Sequence, residues 1–287
     1  LQQMRPDVLI TERYPFGRRA LRQEFKALLQ AAKSLPNPPK ILASIRDILA
    51  PPSKPEKATK ADAVIDAFYD GVLVHSDPQA TRLEVSWPVS QMLAGKLRYT
   101  GYVAPPLAGP HPKAEGSDEI LVSAGGGNVG DEIYRCALEA ANLMPGHRWR
   151  LLVGGSDAQT RIAELRQIPS PAVIEAARPD FRQMLSHAAA SVGMCGYNTA
   201  LDLLQANTPA VLVPFDAGRE VEQSLRATSL APLPGFSCLR SADLTPHRLI
   251  AALEEVIVAP RRSVSDLKFD GASRTVKIAR EMAGVQL

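Results

Sequence analysis

A glycine-rich run in the middle of this sequence has the composition of a phosphate-binding turn. Residues 123–130 read Ser-Ala-Gly-Gly-Gly-Asn-Val-Gly and lie between an apolar stretch and an amphipathic one. Glycines let a backbone approach a ligand closely, and a helix that starts here would present unpaired N–H groups and the positive end of its dipole. The run therefore predicts a diphosphate site. The alternative is a tight turn without a ligand, although three consecutive glycines exceed what a turn needs.

A second turn of small residues, at 193–198, also precedes a predicted helix. Asn198 or Thr199 is suited to cap that helix, because both side chains can accept hydrogen bonds from backbone N–H groups. Asp202 lies one turn further on, where a carboxylate could accept hydrogen bonds from ribose hydroxyls. The alternative is that Asp202 only completes the capping arrangement, and the spacing does not separate the two.

A third segment, 213–223, runs from the end of an apolar strand through Pro214 into a polar loop and a helix. Asp216, Arg219, Glu222 and Gln223 would project from it near the same rim as the other two turns. Polar side chains clustered in this way suit the recognition of a ligand with many hydroxyls, such as a sugar. A solvated loop is the alternative.

Several kinds of chemistry are disfavoured by the motifs that the sequence lacks. The glycine run does not have the G-x-G-x-x-G spacing, which argues against a nicotinamide dehydrogenase. No pair of histidines has metal-ligand spacing, and neither G-x-S-x-G nor H-E-x-x-H occurs. Cys136, Cys195 and Cys238 are too widely spaced for a disulfide framework and indicate reduced thiols in a cytoplasmic protein. We therefore predict no metal site, and the catalytic residue stays unassigned.

The pattern of apolar runs predicts two α/β domains on either side of a proline-rich linker. Predicted strands cover 8–10, 41–45, 72–75, 97–103, 120–123, 150–153, 172–175, 190–193 and 210–213. Predicted helices cover 19–32, 58–69, 129–143, 158–167, 180–188, 199–206, 220–228 and 246–258. Such alternation indicates parallel sheets covered on both faces, with ligands beyond the carboxyl ends of the strands. The predicted division is a partial N-terminal domain at 1–103, a linker at 104–116 and a C-terminal domain at 117–287.

The charge distribution is uneven although the composition is that of an ordinary globular protein. The 287 residues are 45% hydrophobic and 22% charged, and the formal net charge of +3 is too small to indicate a nucleic-acid partner. Residues 1–60, however, contain 12 Lys/Arg against 5 Asp/Glu. This excess predicts either a solvated basic face or a surface for anionic lipid headgroups or a phosphorylated substrate.

Taken together, the three segments resemble the C-terminal domain of family 28 glycosyltransferases, in order and in approximate spacing. The chain is most similar to an uncharacterised bacterial branch of predicted glycosyltransferases. The counterparts in the first half are residues 5–10, 15–19, 46–49, 74–78 and 99–103. The C-terminal motifs are fairly specific for a sugar-nucleotide site, whereas the N-terminal ones identify only the branch.

The resemblance implies a GT-B fold, with two Rossmann-like parallel-sheet domains that face a cleft. It also implies an inverting, metal-independent hexosyltransferase that needs no cofactor and uses a nucleotide-diphosphate sugar, with UDP as one option. The family's glycine turn holds the donor diphosphate, and its second turn and following acidic residue bind ribose. Its glutamine near the last helix start contacts the hexose. The corresponding positions here are Gly125, Gly126, Gly127 and Asn128; Gly196, Asn198, Thr199 and Asp202; and Glu222 and Gln223.

The sequence also departs from the family pattern. Asp202 stands where the family usually has Glu, and Glu222-Gln223 stands where it often has two glutamines. The family's first glycine-rich loop, with its candidate base histidine, has no counterpart in these residues, so we expect the N-terminal domain to be incomplete. The main alternative is a nucleotide-sugar-binding module that is inactive without its missing segment or a partner chain; a nucleotide-sugar epimerase is another.

The expected acceptor is lipid-linked or phosphorylated. The expected location is the cytoplasm, with peripheral contact between the basic N-terminal part and the inner face of an anionic membrane.

Overall fold

The structure is a computed structural model that describes residues 1, 3–125, 127–218, 220–262 and 267–285. They fall into two compact units, Leu1–Ala104 together with Leu267–Leu287, and Pro105–Asp266. Each unit is built on an all-parallel sheet, so the predicted α/β class is confirmed.

The first unit contains a four-stranded sheet in the order β1-β2-β3-β4. Its strands are β1 (Val8–Glu12), β2 (Lys40–Arg46), β3 (Gly71–His75) and β4 (Leu97–Tyr99). Its connecting helices are α1 (Arg22–Lys33), α2 (Pro55–Phe68) and the short α3 (Gln91–Lys96), which the sequence pattern did not predict. Proline at the first position of α2 suits a helix start, because that position needs no N–H donor.

Both faces of the first sheet are covered, as parallel strands require. On one face, alternate residues of β2 and β3 such as Ile41, Ala43 and Val72 join a buried core with residues of α1 and α2. On the other face, Leu42 and Leu73 pack against the C-terminal helix α10 (Gly271–Ala283).

The tail of the chain therefore belongs to the first unit. The predicted C-terminal domain at 117–287 is wrong in this respect, because α10 buries its apolar side on the first sheet. The sequence pattern stopped at residue 258 and did not predict this helix.

The second unit contains a six-stranded sheet in the order β10-β9-β8-β5-β6-β7. Its strands are β5 (Glu119–Ser123), β6 (Arg148–Val153), β7 (Val173–Ala176), β8 (Ala190–Gly193), β9 (Ala210–Leu212) and β10 (Phe236–Cys238). Its helices are α4 (Asp131–Leu143), α5 (Ala158–Leu165), α6 (Phe181–Leu185), α7 (Tyr197–Ala206), α8 (Glu222–Leu230) and α9 (Pro246–Val258). All of these except β10 correspond to predicted elements.

The proline-rich stretch predicted as a linker at 104–116 is, apart from Ala104, part of the second unit. Gln205 Nε2 donates to the carbonyl oxygen of Pro105 at 2.9 Å, and His111 Nε2 lies 3.0 Å from an Asp180 carboxylate oxygen. Glu115 forms an ion pair with Arg178. These contacts with α6, α7 and the residues before α6 hold the stretch in place.

Candidate functional site

The three sequence segments meet at one edge of the second sheet. Strands β5, β8 and β9 are adjacent and parallel, with Ser123 beside Gly193 and Gly193 beside Leu212. The loops that follow these strands therefore leave the same carboxyl edge, which is where open α/β sheets bind ligands.

The glycine turn leads directly into the N-terminus of α4. Gly130 is the N-cap residue with a φ of 88°, and a Cβ there would collide with that of Ala124, so only glycine fits. No side chain among the described residues caps α4 at this position. The N–H groups of Asp131 and Glu132 at the start of the helix can therefore serve an anion, whereas the N–H of Ile133 donates to the Gly130 carbonyl. Gly125 and Gly127 lie in this turn, whereas the predicted Gly126 lies outside the described residues.

Asn128 fastens the glycine turn to the loop that follows β6. Its Oδ1 accepts from the backbone N–H of Ser156 at 3.0 Å, and its Nδ2 donates to the Ser156 hydroxyl at 3.2 Å. Gly155, with a φ of 102°, permits this approach, because an added Cβ would collide with Asn128 Oδ1. Asn128 thus shapes the turn in addition to any contact with the ligand.

The buried side chain of Arg161 also joins the glycine turn to the loop that follows β6. Arg161 on α5 donates from Nε to Asp131 at 2.8 Å and from Nη2 to the Val129 carbonyl at 2.8 Å. Its Nη1 donates to the Gly154 carbonyl at 3.0 Å. The guanidinium also offsets the negative charge of Asp131 beside the predicted diphosphate site.

Helix α7 starts two residues earlier than predicted and without a side-chain cap among the described residues. Gly196 is the N-cap residue, and Asn198 and Thr199 lie within the first turn. The predicted capping by Asn198 or Thr199 is therefore wrong. Asn198 is exposed and Thr199 is half-buried, and both follow the loop after β8, which we call the second loop (residues 194–196).

Asp202 makes an ion pair instead of a capping bond. The alternative that Asp202 only completes the capping of its helix is therefore also wrong. Arg182 Nε donates to Asp202 Oδ1 at 2.8 Å, and Arg182 Nη2 donates to Gln205 Oε1 and to the Pro106 carbonyl, both at 2.9 Å. Burial raises the pKa of the Asp202 carboxyl, and the Arg182 guanidinium opposes that rise. A carboxylate held in this way keeps lone pairs for further hydrogen-bond donors.

The third segment is held by the two residues predicted to contact the sugar, whereas the predicted Arg219 lies outside the described residues. Gln223 Oε1 accepts from the backbone N–H of Phe215 at 3.1 Å, which leaves its Nε2 as the donor end. Glu222 pairs with Arg226 at 2.8 Å. Arg226 is fully buried and donates to the Cys195 carbonyl at 3.0 Å, so it connects the second loop with α8.

The arginines that organise the site, Arg161, Arg182 and Arg226, were not singled out from the sequence. Two of them follow an acidic residue by four positions at the start of a helix, Arg161 after the N-cap residue Asp157 and Arg226 after Glu222. That spacing was a usable signal. The partners of Arg182 lie on another helix and in the proline-rich stretch, so no local pattern could reveal them.

Neither a metal-binding cluster nor a membrane-spanning helix is found in the part of the chain that the structure describes. No cluster of three or more His, Cys, Asp or Glu side chains there could hold a metal ion. None of the helices there has the length and apolar character needed to span a membrane.

Solved structures with the same architecture define the class of fold. MurG from Acinetobacter baumannii aligns with a TM-score of 0.65 and 14% identity, over 98% of this chain and 76% of that one. The calicheamicin glycosyltransferase CalG4 aligns with a TM-score of 0.63 and 18% identity, over 97% of this chain and 73% of that one. The fold is that of the GT-B glycosyltransferases, as the resemblance implied.

The sequence itself identifies the family. Residues 124–277, more than half of the chain, match the model of the glycosyltransferase family 28 C-terminal domain. The chain belongs to glycosyltransferase family 28.

A curated relative from Brucella suis is 30% identical over 180 residues, which cover 59% of this chain and 48% of the relative. It is a UDP-N-acetylglucosamine–N-acetylmuramyl-(pentapeptide) pyrophosphoryl-undecaprenol N-acetylglucosamine transferase. The same enzyme from Brucella abortus is 29% identical over 161 residues, or 54% of this chain and 42% of the relative. The chain thus spans about half the length of the curated relatives that it matches. Neither the family model nor these relatives support the epimerase alternative.

Proposed function

We propose that this chain carries the donor site of a hexosyltransferase that moves a sugar from a nucleotide-diphosphate sugar to an acceptor hydroxyl. The observation that carries the proposal is the meeting of three loops, after β5, β8 and β9, at one edge of the second sheet. The helices that follow these loops start with the uncapped N-terminus of α4 and carry the carboxylate of Asp202 on α7 and the side-chain amide of Gln223 on α8. A nucleotide sugar needs such partners for its diphosphate, ribose and hexose.

Each loop takes one part of the donor. The glycine turn, with Gly125, Gly127 and Asn128, receives the diphosphate at the N-terminus of α4. Asp202 accepts hydrogen bonds from the ribose hydroxyls. Gln223 donates from Nε2 to the hexose, because its Oε1 is occupied by the backbone of Phe215. The donor of the Brucella relatives is UDP-N-acetylglucosamine, so we test a UDP-linked sugar first.

Calorimetry with UDP and with UDP-N-acetylglucosamine tests these roles. A hydrogen bond to a charged group contributes roughly 1.5–3 kcal/mol and a neutral one about 0.5–1.5 kcal/mol. Asp202→Asn should therefore weaken both ligands by about one to two factors of ten. Gln223→Ala should weaken only the nucleotide sugar, by up to about tenfold, because UDP has no hexose to lose.

Matched controls separate these effects from general damage. Asp66→Asn, on α2 of the first unit, and Gln167→Ala, after α5, change the same residue types at positions outside the three loops and should leave both affinities unchanged. Gln223→Glu keeps an oxygen for the Phe215 N–H but removes the amide donor, so it should weaken the nucleotide sugar as Gln223→Ala does. Equal loss of UDP and UDP-N-acetylglucosamine in Gln223→Ala would contradict the hexose role.

A transfer assay distinguishes an enzyme from a binding module. Radiolabelled UDP-N-acetylglucosamine is incubated with the chain and a bacterial lipid extract. Transfer supports the hexosyltransferase, whereas donor binding without transfer supports a module that needs a further segment or a partner chain.

We also propose that the reaction inverts the anomeric carbon and needs no metal ion. The N-terminus of α4 supplies positive potential at the diphosphate, a role that metal ions fill in other enzymes. UDP affinity that is unchanged by EDTA supports the metal independence. A β-linked product from an α-linked donor, seen by NMR, supports inversion.

The acceptor side of the proposal rests on a basic groove in the first unit. A cavity of about 510 Å³ between α1 and α2 has an apolar floor that includes Tyr14, Val64 and Phe68. The cationic residues around it are Arg19, Arg22, Lys26, Lys57 and Lys60. Cations around an apolar floor suit a lipid phosphate with its chain, so we propose that the groove contacts anionic membrane and a lipid-linked acceptor.

Vesicle flotation tests the groove. We expect the chain to float with phosphatidylglycerol vesicles and to stay behind with phosphatidylcholine vesicles. Replacing Lys57 and Lys60 by Gln should weaken flotation, since each basic residue near such a surface contributes about 1 kcal/mol. Replacing Arg240 and Arg248 by Gln changes the net charge equally in the second unit and should have little effect. Equal loss in both double variants would show that net charge, not the groove, drives binding.

A further inference from the structure

A hydrogen-bonded network connects the proline-rich stretch with the carboxylate of Asp202. Arg182 on α6 donates from Nε to Asp202 Oδ1 at 2.8 Å. Its Nη2 donates to Gln205 Oε1 and to the Pro106 carbonyl oxygen, both at 2.9 Å. Gln205 Nε2 donates in turn to the Pro105 carbonyl oxygen at 2.9 Å. All five residues belong to the second unit.

The amide of Gln205 has only one satisfactory orientation in this network. Gln205 is 5% exposed. Its side chain lies between a guanidinium, which only donates hydrogen bonds, and a carbonyl group, which only accepts them. The amide oxygen must therefore face Arg182, and the amide nitrogen must face Pro105. Exchanging the two ends would set donor against donor and acceptor against acceptor.

Arg182 binds Asp202 through one nitrogen, although arginine frequently binds a carboxylate through two. With Nε on Oδ1, the second hydrogen bond of such a pair would run from Nη2 to Oδ2. Here both hydrogens of Nη2 are used, one by Gln205 and one by Pro106. In the described part of the chain, no group donates to Oδ2 of Asp202. The network thus draws Nη2 away from the carboxylate and leaves Oδ2 free.

Two other arginines of the second unit bind a carboxylate through both nitrogens. Arg150 donates from Nε and Nη2 to the two carboxylate oxygens of Glu119, at 2.6 and 3.0 Å. Arg178 donates in the same way to Asp180, at 2.9 and 2.6 Å. In both pairs each carboxylate oxygen receives a hydrogen bond from the guanidinium, whereas Asp202 keeps one oxygen free.

The two prolines supply acceptors whose positions the backbone restricts. The proline ring fixes φ and removes the N–H donor, and a residue that precedes proline, as Pro105 does, is confined to extended conformations. Both prolines are exposed, so their rings fill no core. Their carbonyl oxygens are what they contribute to the network.

A free Oδ2 is what a ribose requires of Asp202. Ribose hydroxyls donate hydrogen bonds, and each lone pair of the carboxylate can accept one. The side chain of Asp202 is 17% exposed, whereas Gln205 is buried. If Nη2 of Arg182 turned to Oδ2, it would occupy the acceptor that a ribose hydroxyl needs.

We propose that Gln205 is a positioning residue of the donor site. Together with the carbonyl groups of Pro105 and Pro106, it holds Nη2 of Arg182 away from Asp202 and so keeps Oδ2 for the ribose. The proposal rests on the proposed function, because it needs the ribose contact of Asp202. It makes the proline-rich stretch a part of the donor site. The competing explanation is that the network only anchors the stretch.

Calorimetry with UDP and with 2′,3′-dideoxyuridine diphosphate isolates the recognition of ribose. The second ligand has the same base and diphosphate but lacks the ribose hydroxyls. A hydrogen bond to a charged group corresponds to about one to two factors of ten in affinity. Wild type should therefore prefer UDP by at least about tenfold.

Gln205→Met removes an acceptor of Nη2 and so allows Arg182 to bind both oxygens of Asp202. Its preference for UDP should fall by about tenfold, whereas its affinity for the dideoxy ligand should stay within about twofold of wild type. Gln205→Glu keeps an oxygen for Nη2 and should keep the preference. Gln167→Met, which changes an exposed glutamine after α5, is the control and should bind both ligands as wild type does.

The outcomes separate the positioning role from the proposed function. An equal preference in wild type and Gln205→Met overturns the positioning role, and so does an equal loss of both ligands, which anchoring alone would produce. Loss of the preference in Gln205→Glu also overturns it, because the acceptor oxygen is still present. A wild type that binds the two ligands equally contradicts the ribose contact of Asp202 itself, and the positioning role falls with it.

Proline variants test the same network if Gln205→Met fails to fold. Replacing Pro105 and Pro106 by Gly retains both carbonyl groups but releases the backbone that restricts them. Each release is worth about two- to fivefold, so the preference for UDP should fall by about threefold or more. Replacing Pro110 and Pro112 by Gly should leave it unchanged, because no described residue of α6 or α7 donates to their carbonyl groups. The same preference in the two double variants overturns the proposal.

Discussion

The ionisation of Asp202 depends on one neighbour, Arg182. The side chain of Asp202 is only 17% exposed, and burial raises the pKa of its carboxyl. The Arg182 guanidinium favours the charged form through a 2.8 Å hydrogen bond. Ribose hydroxyls are donors, so a nucleotide binds the ionised carboxylate better than the protonated one.

Replacing Arg182 by Met should make UDP binding depend on pH. Without the guanidinium the pKa of Asp202 rises further, because only the burial remains. We expect UDP affinity in Arg182→Met to fall as the pH is lowered from 7.5 to 5.5, and to fall less in wild type. Calorimetry at the two pH values measures this.

Arg248→Met removes an exposed arginine of α9 and is the control for the change in charge. It should follow the wild-type pH dependence. A flat pH response in Arg182→Met would show that Asp202 stays ionised without its partner.

At the scale of elements, two buried arginines hold the loops of the donor site in place. Arg161 on α5 donates to a carbonyl of the glycine turn and to one in the loop after β6. Arg226 on α8 donates to the Cys195 carbonyl in the loop after β8. Loops are usually the mobile parts of a fold. Here each is connected to a helix that packs on the sheet, so the positions of the loop N–H groups depend on those helices.

Arg161→Met should destabilise the second unit and weaken UDP binding. It leaves the carbonyls of Val129 and Gly154 without their donor, and each buried unsatisfied group costs about 1–3 kcal/mol. Thermal melting and calorimetry measure the two effects.

Asp131→Asn is the matched variant, because it removes the ion pair but leaves those carbonyl bonds intact. Asp131 is 58% exposed, so its loss should cost at most about 1 kcal/mol. If both variants lose the same stability, the ion pair and not the carbonyl bonds holds the loops.

At the scale of the whole molecule, the chain ends in the unit in which it begins. The first unit contains residues up to Ala104 and again from Leu267. Ile278, Ala279 and Met282 of α10 cover Leu42 and Leu73 of the first sheet. The chain therefore passes between the two units twice, once before the second unit in sequence and once after it.

A charge on the buried side of α10 should destabilise the first unit alone. Ala279 is 7% exposed and packs on Leu42 and Leu73. Ala279→Asp places an unpaired carboxylate in that contact, and such a change costs about 3 kcal/mol or more. Calorimetric melting should show a lower transition for the first unit.

Val276→Asp, on the exposed side of the same helix, should change stability by less than about 0.5 kcal/mol. UDP affinity should be unchanged in both variants, because α10 lies outside the second unit. Equal destabilisation by the two variants would mean that α10 does not use this face for packing.

The elements and the site loops were predicted where the signal is local. The alternation of apolar runs located nine of the strands. The glycine turn and the turn of small residues marked the starts of the helices that follow them, α4 and α7. The segments left out were β10 and α3, which are only three and six residues long, and α10. Short elements carry too few residues for a periodic pattern to stand out.

The sequence by itself determined the strand–helix alternation, the family resemblance and the loops that could hold a nucleotide sugar. These follow from residue type and spacing within a few turns of chain. Only the tertiary structure decided that α10 covers the first sheet and that Arg182 pairs with Asp202. It also decided that the His75 ring is hydrogen-bonded to the side chains of Ser44 and Thr100. Each of these contacts joins residues from different elements, and they meet only because parallel strands bring distant segments to the same edge or face.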